Sequence, residues 1–128
     1  MKPITAEWVE KAEGDLVTAT RELRARRHPN YDAACFHAQQ CAEKYLKACL
    51  QEHEIRFEKT HNLGRLLDLL LPVLPERAEL RPSLQELNAY AVAFRYPGES
   101  ADRDAARPAV QLCRKVRRRA RGHLSLPT

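Results

Sequence analysis

Apolar side chains recur every three or four positions along residues 32–54, a stretch without proline or glycine. This spacing is the period of an α-helix, and it predicts a long helix with one face in the core. The apolar positions are Cys35, Ala38, Ala42, Tyr45, Leu46, Cys49 and Leu50. The polar residues between them predict an opposite, polar face. They are His37, Gln40, Glu43, Lys44, Lys47, Gln51 and Glu52.

The same period predicts one helix before this stretch and a shorter one after it. The first has apolar positions at Trp8, Ala12, Leu16, Ala19 and Leu23, and the shorter one at Leu63, Leu66, Leu67 and Leu70. We expect Thr5 to cap the first helix and Pro29-Asn30 to stop it. Because the connection to the next helix is short, these two helices should be antiparallel neighbours.

Proline and glycine divide the remaining chain into two further helices. After the breaks at Pro72 and Pro75, the pair Arg81-Pro82 is typical of a helix start, and Tyr96-Pro97-Gly98 of a helix end. A last helix is predicted from about Asp102. The apolar positions are Leu84, Leu87, Ala91 and Phe94 in the fourth helix, and Ala105, Ala109, Leu112, Cys113 and Val116 in the last. The sequence thus predicts four long helices and a short one.

Composition supports an all-α fold in one domain. The 128 residues are 44% hydrophobic with only 4 glycines, which suits a single helical core. We expect one domain over residues 1–128, ending in a basic helix end and a short tail, 122–128. No apolar run is long enough to span a membrane and no export signal follows the first methionine, so we expect a cytoplasmic protein.

Positive charge is concentrated in the last helix. Seven cations and no acid lie between Arg107 and Arg121, and without them the net charge of +5 becomes −2. Such a cluster is typical of a surface for RNA, DNA or an acidic partner. It equally suits a solvated helix end, where cations are favourable for the helix dipole. The candidate nucleic-acid-binding residues are Arg114, Lys115, Arg117, Arg118, Arg119 and Arg121.

The sequence offers no pattern for a metal or a cofactor. Three of the four cysteines share one predicted helix without paired C-x-x-C spacing, so we interpret them as buried hydrophobes and predict no metal. The four glycines are isolated, which excludes a Gly-rich phosphate loop, and no cofactor is expected. Any catalysis would rely on Arg, His, Tyr and Lys, which can act on RNA without a metal.

Four segments in this order resemble the HEPN domain family. The first amphipathic helix is followed by YDAACFHAQQCAEKYLKACL, KTHNLGRLLDLL and LNAYAVAFRYPG, and the likeness runs from about residue 6 to 119. It implies an up-and-down antiparallel helical bundle that forms a homodimer. It also implies pairing with a minimal nucleotidyltransferase in a toxin–antitoxin-like system. The activities implied are metal-independent RNA cleavage or nucleotide binding.

One departure from the family pattern concerns catalysis. Family RNases carry R-x(4–6)-H near a late helix, but no histidine follows Arg95 until His123. Arg56 and His61 formally fit this spacing and are the weak catalytic candidates, although they lie elsewhere along the chain.

The candidate ligand-binding residues lie at two breaks in the helical pattern and on the polar face of the long helix predicted over residues 32–54. They are Arg95, Tyr96, Lys44, Lys47, Lys59 and His61. An arginine beside an aromatic residue and a Pro-Gly turn is suited to phosphate or to a partner carboxylate. Structural alternatives remain open: Arg95 pairing with Glu99 or Asp102, His61 closing a loop, and solvated lysines.

Three functions follow from these residues and from the resemblance. The first hypothesis is a non-catalytic module that binds a nucleotide, RNA or a partner such as a nucleotidyltransferase. The alternatives are a metal-independent RNase toxin and a purely structural homodimer.

Overall fold

Five α-helices and one short 3-10 segment make up the chain in a computed structural model that describes all 128 residues. The helices are α1 (Pro3–Arg24), α2 (Tyr31–Glu52), α3 (Leu63–Leu70), α4 (Arg81–Ala93) and α5 (Arg103–His123). The 3-10 segment, Pro75–Leu80, lies where the sequence predicted only a break. There are no strands, so the all-α prediction is confirmed.

Side-chain caps define where three of the helices begin. Asn30, Asn62 and Asp102 each accept a hydrogen bond from the backbone N–H three residues later, which satisfies a free donor in the first turn. The prediction that Thr5 caps α1 is wrong, because α1 begins at Pro3 and Thr5 is buried inside it. The Thr5 hydroxyl instead donates to Glu52 Oε1 at 2.9 Å.

Contacts between side chains show the direction of each helix. Thr5 meets Glu52 and Glu13 meets Tyr45, so α1 and α2 are antiparallel as predicted. Glu13 pairs with Arg117 and Thr20 meets Arg114, so α5 is antiparallel to α1 and parallel to α2. The arrangement is the predicted up-and-down bundle, with α2 in contact with every other helix.

The central helix α2 is buried nearly all round, which corrects the predicted polar face. Glu43 is only 2% exposed and Lys47 7%, and Gln39 is buried as well. The period of apolar residues could not show this, because these polar side chains are paired with one another inside the protein. Helix α2 also ends two residues earlier than predicted, and Glu54 has a positive φ of 57°.

All four cysteines are free and lie in the core, as the sequence predicted. Three belong to α2 and the fourth, Cys113, to α5. Burial raises the pKa of Cys35 to about 11 and that of Cys49 to about 12. These two thiols are therefore protonated at neutral pH and pack as small apolar side chains.

The C-terminal tail folds back onto α5. The amide of Leu126 donates to the Arg121 carbonyl at 2.8 Å, and Arg117 Nη1 donates to the Thr128 carbonyl at 2.8 Å. None of the helices has the length and apolar character needed to cross a membrane.

Candidate functional site

A cavity of about 130 Å³ opens between α2, the end of α4 and the loop before α3, and we name it the α2–α4 pocket. Its lining residues are Phe36, Gln39, Gln40, His61, Asn88, Ala91, Val92 and Arg95. A shallower depression of about 390 Å³ adjoins it and shares Phe36, Ala91 and Arg95. The pocket thus combines one cation and several amides with an exposed aromatic ring.

Arg95 is an exposed cation without a partner in the chain. It lies just beyond the end of α4. The sequence left open a pairing with Glu99 or Asp102, but neither forms an ion pair with it. Asp102 instead caps α5 by accepting from the Ala105 amide at 2.9 Å. The guanidinium is therefore available to an anion from outside the chain.

Tyr96 lies next to Arg95 but does not line the α2–α4 pocket. Its side chain is 67% exposed, and its carbonyl accepts from the Glu99 amide at 3.3 Å in a turn. Gly98 in the same turn has a φ of 95°, which glycine adopts more easily than other residues. The turn fixes the chain direction immediately after Arg95.

His61 is held in place at two points although its side chain is 76% exposed. Its Nδ1 is 3.0 Å from Glu43 Oε1, and its backbone carbonyl accepts from Gln39 Nε2 at 2.9 Å. The predicted loop-closing role and the predicted ligand-binding position are therefore compatible. The structure brings His61 into the same pocket as Arg95.

The two candidate lysines of α2 are engaged with carboxylates. Lys47 Nζ donates to Glu43 Oε2 at 3.1 Å and lies 5.5 Å from the centre of the Trp8 ring. Lys44 pairs with Asp15. For Lys47 the expectation of a solvated lysine is wrong, and neither lysine lines the α2–α4 pocket.

The remaining loop candidates lie apart from this pocket. Lys59 is exposed and has no ion pair. Arg56 lines a different, open depression with Lys2, Glu54 and others, so the formal Arg56–His61 pair does not share one cavity. In the structure the arginine that shares a cavity with His61 is Arg95.

Several of the basic side chains at the end of α5 form hydrogen bonds with other helices. Arg117 donates two hydrogen bonds of 2.9 Å to the Glu13 carboxylate, and Tyr45 donates a third at 2.6 Å. Arg121 Nη1 donates to the Tyr45 hydroxyl at 3.0 Å. The bond from Arg117 lowers the pKa of Glu13, against the opposing effect of burial. These contacts join α1, α2 and α5.

The other basic candidates of α5 also contact neighbouring elements, with one exception. Arg119 Nε donates to Glu79 at 2.6 Å, Arg114 to the Thr20 hydroxyl at 3.0 Å, and Lys115 to the Ser83 hydroxyl at 3.5 Å. Arg118 is exposed and makes no such contact. A nucleic-acid surface on α5 stays a prediction, and its free charge is smaller than the sequence suggested.

Sequence reasoning missed several residues of the α2–α4 pocket. Gln39 and Gln40 lie three to four positions from both Phe36 and Glu43, a helical spacing that would have grouped them on one side of α2. Asn88 belongs to no motif and no spacing in the sequence that would have indicated a site. Nowhere in the chain do three or more His, Cys, Asp or Glu side chains converge in a way that would hold a metal ion.

Comparison with known proteins gives one family and two solved relatives. The family model for the HEPN domain matches residues 5–123. The crystal structure of TT1696 from Thermus thermophilus is 28% identical, with a TM-score of 0.73 over 92% of this chain and 96% of that one. The structure of ST0689, an archaeal HEPN homologue, is 22% identical, with a TM-score of 0.73 over 96% and 98%. No curated protein matches the chain.

Proposed function

Because the chain belongs to the HEPN domain family, we propose that it is a non-catalytic module that binds a nucleotide or RNA in the α2–α4 pocket. The observation that carries the proposal is the unpaired guanidinium of Arg95 on the wall of this pocket. A guanidinium offers a planar fork of donors that matches phosphate oxygens.

The other lining residues suit the rest of such a ligand. Gln40 and Asn88 supply amide groups for the edge of a base or the hydroxyls of a sugar. The Phe36 ring is 42% exposed and offers a face on which a base can stack. A cavity of about 130 Å³ is small beside typical ligand pockets of about 300–1,000 Å³. The ligand would therefore extend into the adjoining depression.

Removal of the Arg95 guanidinium should weaken binding strongly. For Arg95→Ala we expect a loss of about 10- to 100-fold in affinity for a ribonucleotide or a short single-stranded RNA, because a charge-assisted contact contributes about 1.5–3 kcal/mol. Isothermal titration calorimetry measures the effect.

A matched variant separates the effect of the Arg95 contact from the effect of losing one positive charge. Arg107→Ala removes an exposed arginine of α5 outside the pocket and should change affinity by less than about twofold. Equal losses in the two variants, or no binding by the wild-type chain, would contradict the proposal.

A second candidate function is metal-independent RNA cleavage at the same pocket. The observation that favours it is that His61 and Arg95 line one cavity despite their separation in the sequence. In this reaction the imidazole would take the proton of a ribose 2′-hydroxyl, whose oxygen would bond to the adjacent phosphorus. The bond from phosphorus to the 5′-oxygen would break, water would protonate that oxygen, and the guanidinium would stabilise the phosphoryl charge. RNA left intact in EDTA by a clean preparation, together with normal growth on induction, would eliminate this function.

We also propose the partners that the family resemblance suggests, a second copy of the chain and a minimal nucleotidyltransferase in a toxin–antitoxin-like pair. Large apolar side chains are exposed on the pocket side, including Phe36 and Val92 at 42% and 63%. Sedimentation as a monomer at micromolar concentration would refute the homodimer and with it a purely structural dimer. Failure to co-purify with a co-expressed neighbouring nucleotidyltransferase would refute the pairing.

A further inference from the structure

We infer that Glu43 is a positioning residue of the α2–α4 pocket, which holds His61 with its proton on Nδ1 and leaves Nε2 free to accept a hydrogen bond from a ligand. The inference rests on the proposed function for its consequence in binding, but not for the state of the histidine. Glu43 is buried beneath the pocket's lining residues and is not one of them.

The Glu43 carboxylate is surrounded by donors. Lys47 Nζ lies 3.1 Å from Oε2, His61 Nδ1 lies 3.0 Å from Oε1, and the amides of Gln39 and Gln40 are each 3.5 Å away. A carboxylate facing an ammonium group has no proton to give, so His61 must be the donor in its contact. Its proton therefore lies on Nδ1.

This contact determines what His61 can do for a ligand. In a neutral imidazole one nitrogen carries the proton and the other accepts, and the partner of one nitrogen decides the role of the other. His61 Nε2 has no partner in the chain, and the ring is mostly exposed on the pocket wall. Glu43 thus presents an acceptor beside Arg95, suited to a ligand hydroxyl or amino group next to a phosphate.

A purely structural role explains the arrangement less well. Two charges buried at 2% and 7% exposure carry a desolvation cost that an apolar pair would avoid. The His61 ring is mostly exposed, so its contact with Glu43 buries little apolar surface that could offset this desolvation cost. A role in orienting His61 explains why a charged pair is kept at this buried position, because Glu43 contacts both Lys47 and the exposed His61.

The chain contains its own control for this contact. Asp15 is buried, pairs with Lys44, and lies 2.7 Å from His37 Nδ1, so His37 should also carry its proton on Nδ1. His37 does not line the α2–α4 pocket. A change at Glu43 should alter the proton position in His61 and leave it unchanged in His37.

Long-range ¹H–¹⁵N NMR at about pH 8, which distinguishes the Nδ1–H form of an imidazole from the Nε2–H form, tests the inference. In the wild-type chain both His61 and His37 should show the Nδ1–H form. In Glu43→Met/Lys47→Met, which removes both charges together, His61 should change mainly to the Nε2–H form while His37 does not. A wild-type His61 in the Nε2–H form, or an unchanged His61 in the double variant, would overturn the inference.

A milder variant and a binding measurement complete the test. Should the double variant not fold, Glu43→Gln offers a weaker acceptor and should lower the Nδ1–H fraction of His61 alone; an unchanged fraction would overturn the inference. The probe for binding is adenosine monophosphate, whose affinity should fall about 3- to 10-fold in the double variant, while inorganic phosphate, which needs Arg95, should bind as before. Absence of binding by the wild-type chain would refute the proposed function, and the NMR result would still decide the role of Glu43.

Discussion

The variant Glu13→Ala is expected to unfold with a free energy about 2–4 kcal/mol lower than the wild-type chain. Glu13 accepts hydrogen bonds from Arg117 and from Tyr45, whose ring is fully buried. Its removal leaves the Tyr45 hydroxyl and the Nε and Nη2 donors of Arg117 without their acceptor, and orphaned groups of this kind cost about 1–3 kcal/mol each. Denaturant unfolding followed by circular dichroism measures the change.

The same carboxylate gives the protein a predictable response to acid. Because Arg117 lowers the folded-state pKa of Glu13 below the ordinary value of 4.5, its contribution to stability is complete above about pH 4.5. That contribution is lost as the pH falls through the lower, folded-state pKa. Glu13→Gln should therefore lose less stability than the wild-type chain over this acid range.

A neighbouring glutamate is the control for both measurements. Glu10 is exposed on the same helix and forms no side-chain hydrogen bond or ion pair, so Glu10→Ala should change the free energy of unfolding by less than about 0.5 kcal/mol. Comparable unfolding of Glu13→Ala and the wild-type chain would show that Arg117 and Tyr45 find other partners.

The second large effect concerns the short helix α3. Leu66 is fully buried there, together with three other leucines of the same helix. Leu66→Ala removes apolar contacts and leaves a cavity, which should lower the free energy of unfolding by about 2–5 kcal/mol. Since His61 lies just before the α3 cap, Asn62, loosening of α3 should also weaken ligand binding at the α2–α4 pocket.

A control variant at an exposed position tests whether the loss of stability in Leu66→Ala comes from the burial of that side chain. Val73 is 43% exposed in the turn that follows α3, and Val73→Ala should stay within about 0.5 kcal/mol of the wild-type chain. A loss below about 1 kcal/mol in Leu66→Ala would mean that the core closes around the smaller side chain. In that case α3 would stay packed, and binding at the α2–α4 pocket should not change.

Local patterns were sufficient for the helices but not for the surroundings of α2. The apolar period gave five helices in the right order, because each needs one face against the core. It could not show that Glu43 and Lys47 are buried, since both look like surface residues until their mutual contact is known. The 3-10 segment Pro75–Leu80 was missed for a related reason, because its single buried residue, Leu80, makes no period.

The site depended on contacts between distant parts of the chain. Arg95 was predicted from its helix break, but its neighbour His61 is brought close only by the packing of the loop before α3 and of α4 on the same side of α2. The basic end of α5 contains no acid, so the sequence suggested a free surface. Its acids come from elsewhere, Glu13 on α1 and Glu79 in the 3-10 segment.

The four buried cysteines allow local unfolding of the bundle to be measured by thiol labelling, without any added probe site. None is more than 2% exposed, and burial keeps thiols such as Cys49 protonated, so a thiol-reactive dye has no target on the folded surface. Labelling then requires a helix to separate from the bundle, and its rate reflects how often that happens. Cys35 and Cys49 lie near opposite ends of α2 and Cys113 lies in α5, so the order in which the positions are modified would reveal which part of the bundle opens first.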